Sequence, residues 1–398
     1  MLLAFEACMN SSMASESKVL KVAMVSAFFP AHGGGIEVVA GHLAINLVQR
    51  ETLSMTWIAD GADEVDDSSF PRVQILRAKS WDPFEKRIGL PFPCWSPRSL
   101  LILWDTVKKS DVVHVHDYLY VPSLAALIFA KILGVPVLLT QHIGQIRFGS
   151  KIASGVLEAL NRTLGALSLR VASQAAFVAR PVFSYFDRFV TWKTPAKVIP
   201  NGVDRRRYKP SESRQIASNV RLLFVGRFVE KKGIKHFERC FDLPNSTWTF
   251  VGGGALNPRQ LWGTFATVRV LEGLRGDDVI PYYQEADLLV LPSTGEGFPL
   301  VVQEALACGT PVLVSAEVAE AFPVLDERCV FSAELRVDDP GAALRNAVEE
   351  LLNAPERLAQ ARVHATSLAS QWSWEQCAES YRQIYESLAD AKSRRLPG

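Results

Sequence analysis

Short, unbroken apolar runs punctuate this chain, and no other feature limits its fold as sharply. KVLKVAMVSAF (18–28), SMTWIAD (54–60), DVVHVH (111–116) and VPVLLT (135–140) are rich in β-branched residues and show no polar alternation. A strand with one wet face alternates, whereas a strand covered on both faces need not, and parallel sheets are covered on both. QAAFVA and AKVIP carry the series to Pro200, and helical patterns lie between the runs. A second series begins with VRLLFVG (220–226) and runs through TWTFVGG (247–253), TVRVLEG (267–273), ADLLVLPS (286–293) and TPVLVS (310–315). Two consecutive strand–helix series predict two doubly wound α/β domains, with ligand sites beyond the C-terminal ends of the strands.

The boundary is expected near 198–201. An N-terminal domain then covers 1–198, with 1–18 as a loose tail, and a C-terminal domain covers 199–370. The length of 398 residues agrees, being too great for one ordinary core. Residues 371–398 form a helical tail with Trp374, Cys377, Tyr381, Ile384, Tyr385 and Leu388 near one face. The pattern alone would pack that helix on its own domain.

Composition narrows the function classes. A net charge of +1 excludes a globally basic nucleic-acid binder. Six dispersed cysteines, with no C-x-x-C pair or Cys/His cluster, suggest neither a zinc site nor a disulfide framework, and a reducing cytoplasm fits. The first residues lack a basic n-region and a long apolar core, so they make a poor signal peptide, and Met13 is a candidate alternative start. The most apolar window, LAALIFAKILGVPVLL, is broken by Lys131 and by Gly-Val-Pro, which suits a helix and a buried strand better than a bilayer span. Between 70 and 110, eight basic residues face three acidic ones, interleaved with Phe70, Trp81, Phe84, Phe92, Trp95 and Trp104. That stretch reads either as a peripheral membrane contact or as a solvated loop whose aromatics are partly core.

Three stretches carry chemistry. In PAHGGGIEVVAGHLA, glycines before a helix let backbone N–H groups approach an anion, although a lone glycine turn reads equally as structural. In LFVGRFVEKKGIKHFE, a strand ends at Gly226, Arg227 follows, and Lys232-Gly233 opens the next helix. The planar fork of arginine and the point charge of lysine both suit a diphosphate, or simply an exposed basic loop. In LVLPSTGEGFPLVVQEALACG, a helix beginning near Pro299 turns the N–H groups of Gly297 to Leu300 forward. Glu296 sits in the loop before it and Glu304 one and a half turns in, where a carboxylate can accept hydrogen bonds from a vicinal diol. The plainer alternative is that Glu296 caps the helix and Glu304 pairs with an arginine.

Together GGGIE, DVVHVHD, VIPNGVD, GRFVEKKG and PSTGEGFPLVVQEALACGTPV resemble glycosyltransferase family 4, the retaining enzymes of GT-B fold, over roughly residues 20–390. The resemblance implies two Rossmann-like domains facing across a cleft, a nucleotide-sugar donor and no metal. It implies that Gly226, Arg227 and Lys232 contact the donor diphosphate, and that Glu304 holds the ribose. Glu296, with the backbone around Gly297, Phe298 and Pro299, would contact the donor sugar, and Leu300 would bind the donor beside them. Gly34 and Gly35 would lie across the cleft, and His142 would bond the transferred sugar. His116 and Asn201 are acceptor-side candidates, while His114 reads as core. The tail helix would cross back to the N-terminal domain.

The implied catalytic set is His142, Arg227, Lys232 and Glu296. With no Asp-x-Asp in the chain and no clear carboxylate for a double displacement, front-face substitution with retention is expected. The acceptor would be a glycan, a lipid-linked sugar or a small molecule, at the inner face of the membrane or free in the cytoplasm. Two rivals stand beside this reading: a GT-B nucleotide-sugar epimerase, and a non-catalytic nucleotide-sugar-binding protein. The first lacks a clear set of acid/base carboxylates in the N-terminal domain, and the second sits poorly with Arg227, Lys232, Glu296 and Glu304 all present. The acidic DGADEVDDSSF, the segment ARPVFSYF and the short passage 243–270 depart from the family pattern and leave the donor base and sugar open.

Overall fold

The computed structural model describes residues 19–62, 65–81, 93–145, 151–211, 219–263 and 265–394. Thirteen strands form two all-parallel sheets among the described residues. The first contains β1 (Leu20–Phe28), β2 (Leu53–Asp60), β3 (Val73–Ala78), β4 (Val112–His116), β5 (Val137–Gln141), β6 (Gln174–Phe177) and β7 (Lys197–Val198), in the order β3-β2-β1-β4-β5-β6-β7. The second contains β8 (Val220–Val225), β9 (Ser246–Val251), β10 (Val268–Leu271), β11 (Leu288–Leu291), β12 (Val312–Ser315) and β13 (Val330–Ala333), in the order β10-β9-β8-β11-β12-β13. The apolar runs become these strands because both their faces are covered: β1 is buried from Val22 to Phe28, and β4, β5, β11 and β12 are buried throughout.

Each sheet reverses its strand order once, at β1/β4 in the first and at β8/β11 in the second. Such a reversal leaves a crevice beyond the strand ends, because the neighbouring connections run to opposite faces of the sheet. The glycine turn follows β1, His116 ends β4, Gly226-Arg227 follows β8 and the Glu296 loop follows β11. The candidate residues therefore gather at the two crevices, and the crevices face one another.

Helices α1 (Gly35–Leu47), α2 (Pro97–Lys108) and α3 (Val121–Leu133) lie along the first sheet, α4 (Leu300–Ala307) follows β11, and α5 (Trp374–Ser393) forms the tail. The tail helix does not pack on the second sheet. Trp374, Cys377, Tyr381, Ile384 and Tyr385 bury their face in the core of the first sheet, beside Val22, Met24 and Leu138. The chain crosses back through a parallel bridge between Val203 and Ser373. Gly202 permits that crossing, since a Cβ there would collide with the backbone of Ser373 and Trp374. Of the basic aromatic stretch, Phe70 packs edge-on against Trp57 at 5.3 Å, Trp95 is core and Trp104 rests against Phe129 at 5.2 Å. Trp81 is 71% exposed, and residues 82–92, with Phe84 and Phe92, lie outside the described residues. No described helix is long and apolar enough to cross a membrane.

Candidate active site

The second sheet builds one wall of the cleft from two loops locked together. After β8 the chain makes a 3-10 turn over Glu230–Lys232, and Gly233 follows at φ 70°. A second 3-10 segment, Ile234–Cys240, stands where the sequence suggested an α-helix. Only glycine serves at 233, because the positive φ is costly for other residues and a Cβ would strike the Pro292 carbonyl. The loop after β11 is then fixed to this turn. The Thr294 N–H donates to the Lys231 carbonyl at 2.8 Å, the Gly295 N–H to Glu317 Oε1 at 2.7 Å, and the Ser315 hydroxyl to the Ser293 carbonyl at 2.6 Å.

These bonds hold Glu296 against Lys232, Oε1 to Nζ 2.8 Å, with the two side chains 13% and 12% exposed. Burial pushes the Glu296 carboxyl up, but Lys232, Lys231 and Arg227 together outweigh it and hold it below the usual carboxylate range. Lys231 is drawn below the usual lysine range by its own burial, with Glu296 opposing.

Helix α4 begins at Leu300, with Pro299 as its N-cap, one residue later than the sequence suggested. Its first N–H groups have no partner inside the helix and carry its partial positive charge toward the cleft. Phe298 turns its ring into the core against Phe322 (5.4 Å) and Trp372 (5.2 Å) and meets the cleft through its backbone. Glu304 accepts from Tyr283 Oη at Oε2, 2.7 Å. Burial raises its carboxyl above the usual range, against the hydrogen bonds of Tyr283 and Tyr208 and the charge of Arg207.

The facing wall belongs to the first sheet. Gly34 is the N-cap of α1, and Glu37, in the first turn, lays its carboxylate against it, since a Cβ on Gly34 would meet Glu37 Oε2. This is the place of a capping-box glutamate, so the positive end of α1 already has an anion of its own. The first turn of α4 has no acidic residue, and its Pro299, Leu300 and Val301 line the cleft.

His142 follows β5, buried yet lining the cleft. His116 does not line it. It lies wholly buried behind His142, with its Nδ1 3.0 Å from His142 Nε2. Asn201 does line the cleft, and its polar atoms serve the loop: its Nδ2 donates to the Phe298 carbonyl at 3.2 Å and its carbonyl accepts from Gln303 at 2.7 Å.

The cleft has a volume of about 320 Å³ and brings together Gly34, Gly35, His142, Asn201, Gly226, Arg227, Lys232, Glu296, Gly297, Phe298, Pro299, Leu300 and Glu304. It also holds Lys231, Glu37 and Tyr120, to which sequence reasoning gave no role. Lys231 is the other half of the Lys-Lys pair and Glu37 ends GGGIE, so both had a signal; Tyr120 had none. Three cationic side chains and one open helix N-terminus at the mouth of a concave, partly apolar site suit an anionic ligand with a polar body. Among the described residues, no group of three or more His, Cys, Asp or Glu side chains is placed to share a metal ion.

Comparison with known proteins points the same way. Residues 33–207 match the family described as Glycosyltransferase Family 4, and residues 219–354 match Glycosyl transferases group 1. The glycogen synthase of Mycobacterium tuberculosis is 27% identical over 308 residues, 74% of this chain and 72% of the relative. An uncharacterized glycosyltransferase of Methanocaldococcus jannaschii is 22% identical over 380 residues, 94% of this chain and 99% of the relative. Among solved structures, sucrose-phosphate synthase from Thermosynechococcus elongatus superimposes with a TM-score of 0.75 at 19% identity, covering 94% of this chain and 100% of that one. Anabaena HepE in complex with UDP-glucose gives 0.70 at 19% identity, covering 92% and 100%.

Proposed function

We propose that this chain, which belongs to the family 4 glycosyltransferases of GT-B fold, transfers a sugar from a nucleoside diphosphate sugar to an acceptor hydroxyl with retention of anomeric configuration. The observation that carries the reading is the meeting of Arg227, Lys231, Lys232 and the N-terminus of α4 with Glu296 and Glu304 in one cleft. Breaking a sugar–phosphate bond builds negative charge on the leaving diphosphate. Preorganised cations and helix N–H groups stabilise that charge with little reorganisation, so the reaction proceeds without a metal ion. Activity that survives EDTA supports this arm; loss restored by a divalent cation overturns it.

Arg227 is exposed at the mouth and free to close on the phosphates, whereas Lys232 is held by Glu296. Glu304, steadied on one oxygen by Tyr283, accepts from the ribose hydroxyls. Glu296, kept ionised by Lys232, accepts from hydroxyls of the donor sugar and does not attack it. Retention then follows front-face substitution, the departing phosphate oxygen taking the acceptor's proton. Inverted product by proton NMR of the anomeric position would exclude this course.

Among the described residues, the passage between β9 and β10 carries only the five-residue helix Pro258–Trp262, so the nucleobase is better found by binding than by inspection. A thermal-shift panel of UDP, GDP, ADP and TDP tests the site. At about 100 times its dissociation constant, the right nucleotide adds roughly 2.7 kcal/mol to the wild type and nothing to Glu304→Ala or Arg227→Ala. UDP is the first candidate, because the similar Anabaena protein was solved with it.

The enzyme would work in the cytoplasm, and the acceptor would be a glycan or lipid-linked sugar reached at the membrane. Trp81, with Leu101 and Ile102 on α2 and Ile128 and Ile132 on α3, leaves exposed apolar side chains within and beside the basic stretch. Retention on anionic vesicles but not on neutral ones supports peripheral contact, and retention on neither overturns it.

A further inference from the structure

We propose that His116 is a positioning residue that fixes His142 in the tautomer carrying its proton on Nδ1, so that His142 presents an N–H donor to the cleft. The inference rests on the function proposed for the cleft, in which His142 faces the transferred sugar. His142 lines the cleft, and its Nε2 is turned back to His116 Nδ1 at 3.0 Å. Nδ1 is therefore the ring nitrogen left for the ligand.

Burial makes both rings neutral, drawing His142 down to about 3 and His116 well below the usual histidine range. In a neutral pair one ring donates and the other accepts. Had His142 donated from Nε2, His116 would accept on Nδ1 and carry its proton on Nε2. That atom is buried and has no hydrogen-bond partner among the described residues.

The neighbour that might have served is already engaged. The His114 ring lies 4.2 Å from that of His116, but both its nitrogens are taken. Tyr385 Oη meets His114 Nδ1 at 2.7 Å, His114 Nε2 meets Thr140 Oγ1 at 2.8 Å, and Thr140 donates to Tyr381 Oη at 3.3 Å. Because Thr140 spends its proton on Tyr381, it accepts from His114 Nε2–H, and His114 Nδ1 accepts from Tyr385. Among the described residues, no acceptor remains for His116 Nε2. An orphaned buried N–H is rarer in folded proteins than an orphaned acceptor, so His116 carries its proton on Nδ1, donates to His142 Nε2, and leaves Nε2 as a bare acceptor. His142 must then be protonated on Nδ1. Its donor suits a sugar hydroxyl or ring oxygen and gives nothing to a cation.

The test is imidazole nitrogen-15 NMR on the whole protein, with His142 assigned by its loss in His142→Gln. The wild type should show a protonated Nδ1 and an unprotonated, hydrogen-bonded Nε2 at His142. His116→Asn, whose amide nitrogen stands near the position of Nδ1, should keep this pattern and keep kcat within a few-fold. His116→Leu should release the tautomer and lower kcat by about 10²-fold, the scale of a displaced catalytic contact, with nucleotide affinity unchanged. A proton on Nε2 of wild-type His142, or an unaltered tautomer in His116→Leu, overturns the proposal. If His116→Leu does not fold, the wild type and His116→Asn decide, since loss of the pattern in the asparagine variant also overturns it. A correct tautomer in a protein that transfers no sugar from any donor would sink the proposed function and leave the positioning role standing.

Discussion

The two walls of the cleft are built by different means. The wall from the second sheet is ionic, and its bonds join loops close together in sequence: Gly295 to Glu317 spans 22 residues and the Thr294–Lys231 contact 63. The wall from the first sheet keeps Glu37 at the start of α1 and sets neutral rings beside it. His114, His116 and His142 are buried uncharged, and the contacts that brace them reach α5 across 241 residues from Thr140 to Tyr381 and 271 from His114 to Tyr385. Charge can be placed by a short motif, because two adjacent loops and a helix end suffice. A neutral ring must be oriented by packing and hydrogen bonds on every side, and those come from wherever the fold supplies them.

The largest effect tests the ionic wall. Arg227→Ala should lower kcat by about 10²–10³-fold, the usual loss for one group aimed at developing charge, with Tm unchanged because the side chain is exposed. A loss under ten-fold in steady-state kinetics would place the leaving-group stabilisation elsewhere and break the contrast.

Next comes Asp117, just after β4 in the first sheet. It is buried at φ 61°, it accepts from Gln141 Nε2 at 3.0 Å, and burial raises its carboxyl to about 6. A raised carboxyl favours the folded state while protonated and loses that contribution as pH rises through 6. Asp117→Asn tolerates the positive φ and keeps the bond from Gln141. It should therefore stabilise the protein at pH 7–8, by up to roughly 3 kcal/mol, with the gain vanishing by about pH 4 in urea titrations. A variant less stable at pH 8 would show the charge to be wanted there.

Tyr385→Phe should cost about 1–3 kcal/mol by leaving His114 Nδ1 buried without its donor, with nucleotide affinity unchanged by calorimetry. A weakened nucleotide would mean the walls are not independent. The smallest effect belongs to Glu317→Gln, about 0.5–1.5 kcal/mol for the weakened bond from Gly295. It should fall on nucleotide binding more than on Tm, because it loosens the loop that carries Glu296.

Much of this was legible beforehand. Strands covered on both faces announce themselves as unbroken apolar runs, and Gly-Arg, Lys-Gly and Glu-x7-Glu mark the ionic wall because their spacing is local. Lys231 was missed only for standing beside Lys232. The errors share one cause. His114 and His116, two apart on β4, share a face of the sheet, but what covers that face is α5, more than 250 residues later. His116 was expected in the cleft and lies behind His142. Pattern alone would have kept α5 on its own domain, since an apolar face records that it is buried and not against what.

By itself the sequence determined the parallel architecture, the two strand series and the charged residues at their ends. These follow from backbone hydrogen bonding and burial acting over a few residues at a time. Tertiary structure alone decided that His116 lies behind His142 rather than in the cleft, and which helix braces the histidines. Those outcomes depend on the one arrangement that buries α5 against the first sheet while giving Tyr381, Tyr385, His114 and Thr140 their hydrogen bonds together.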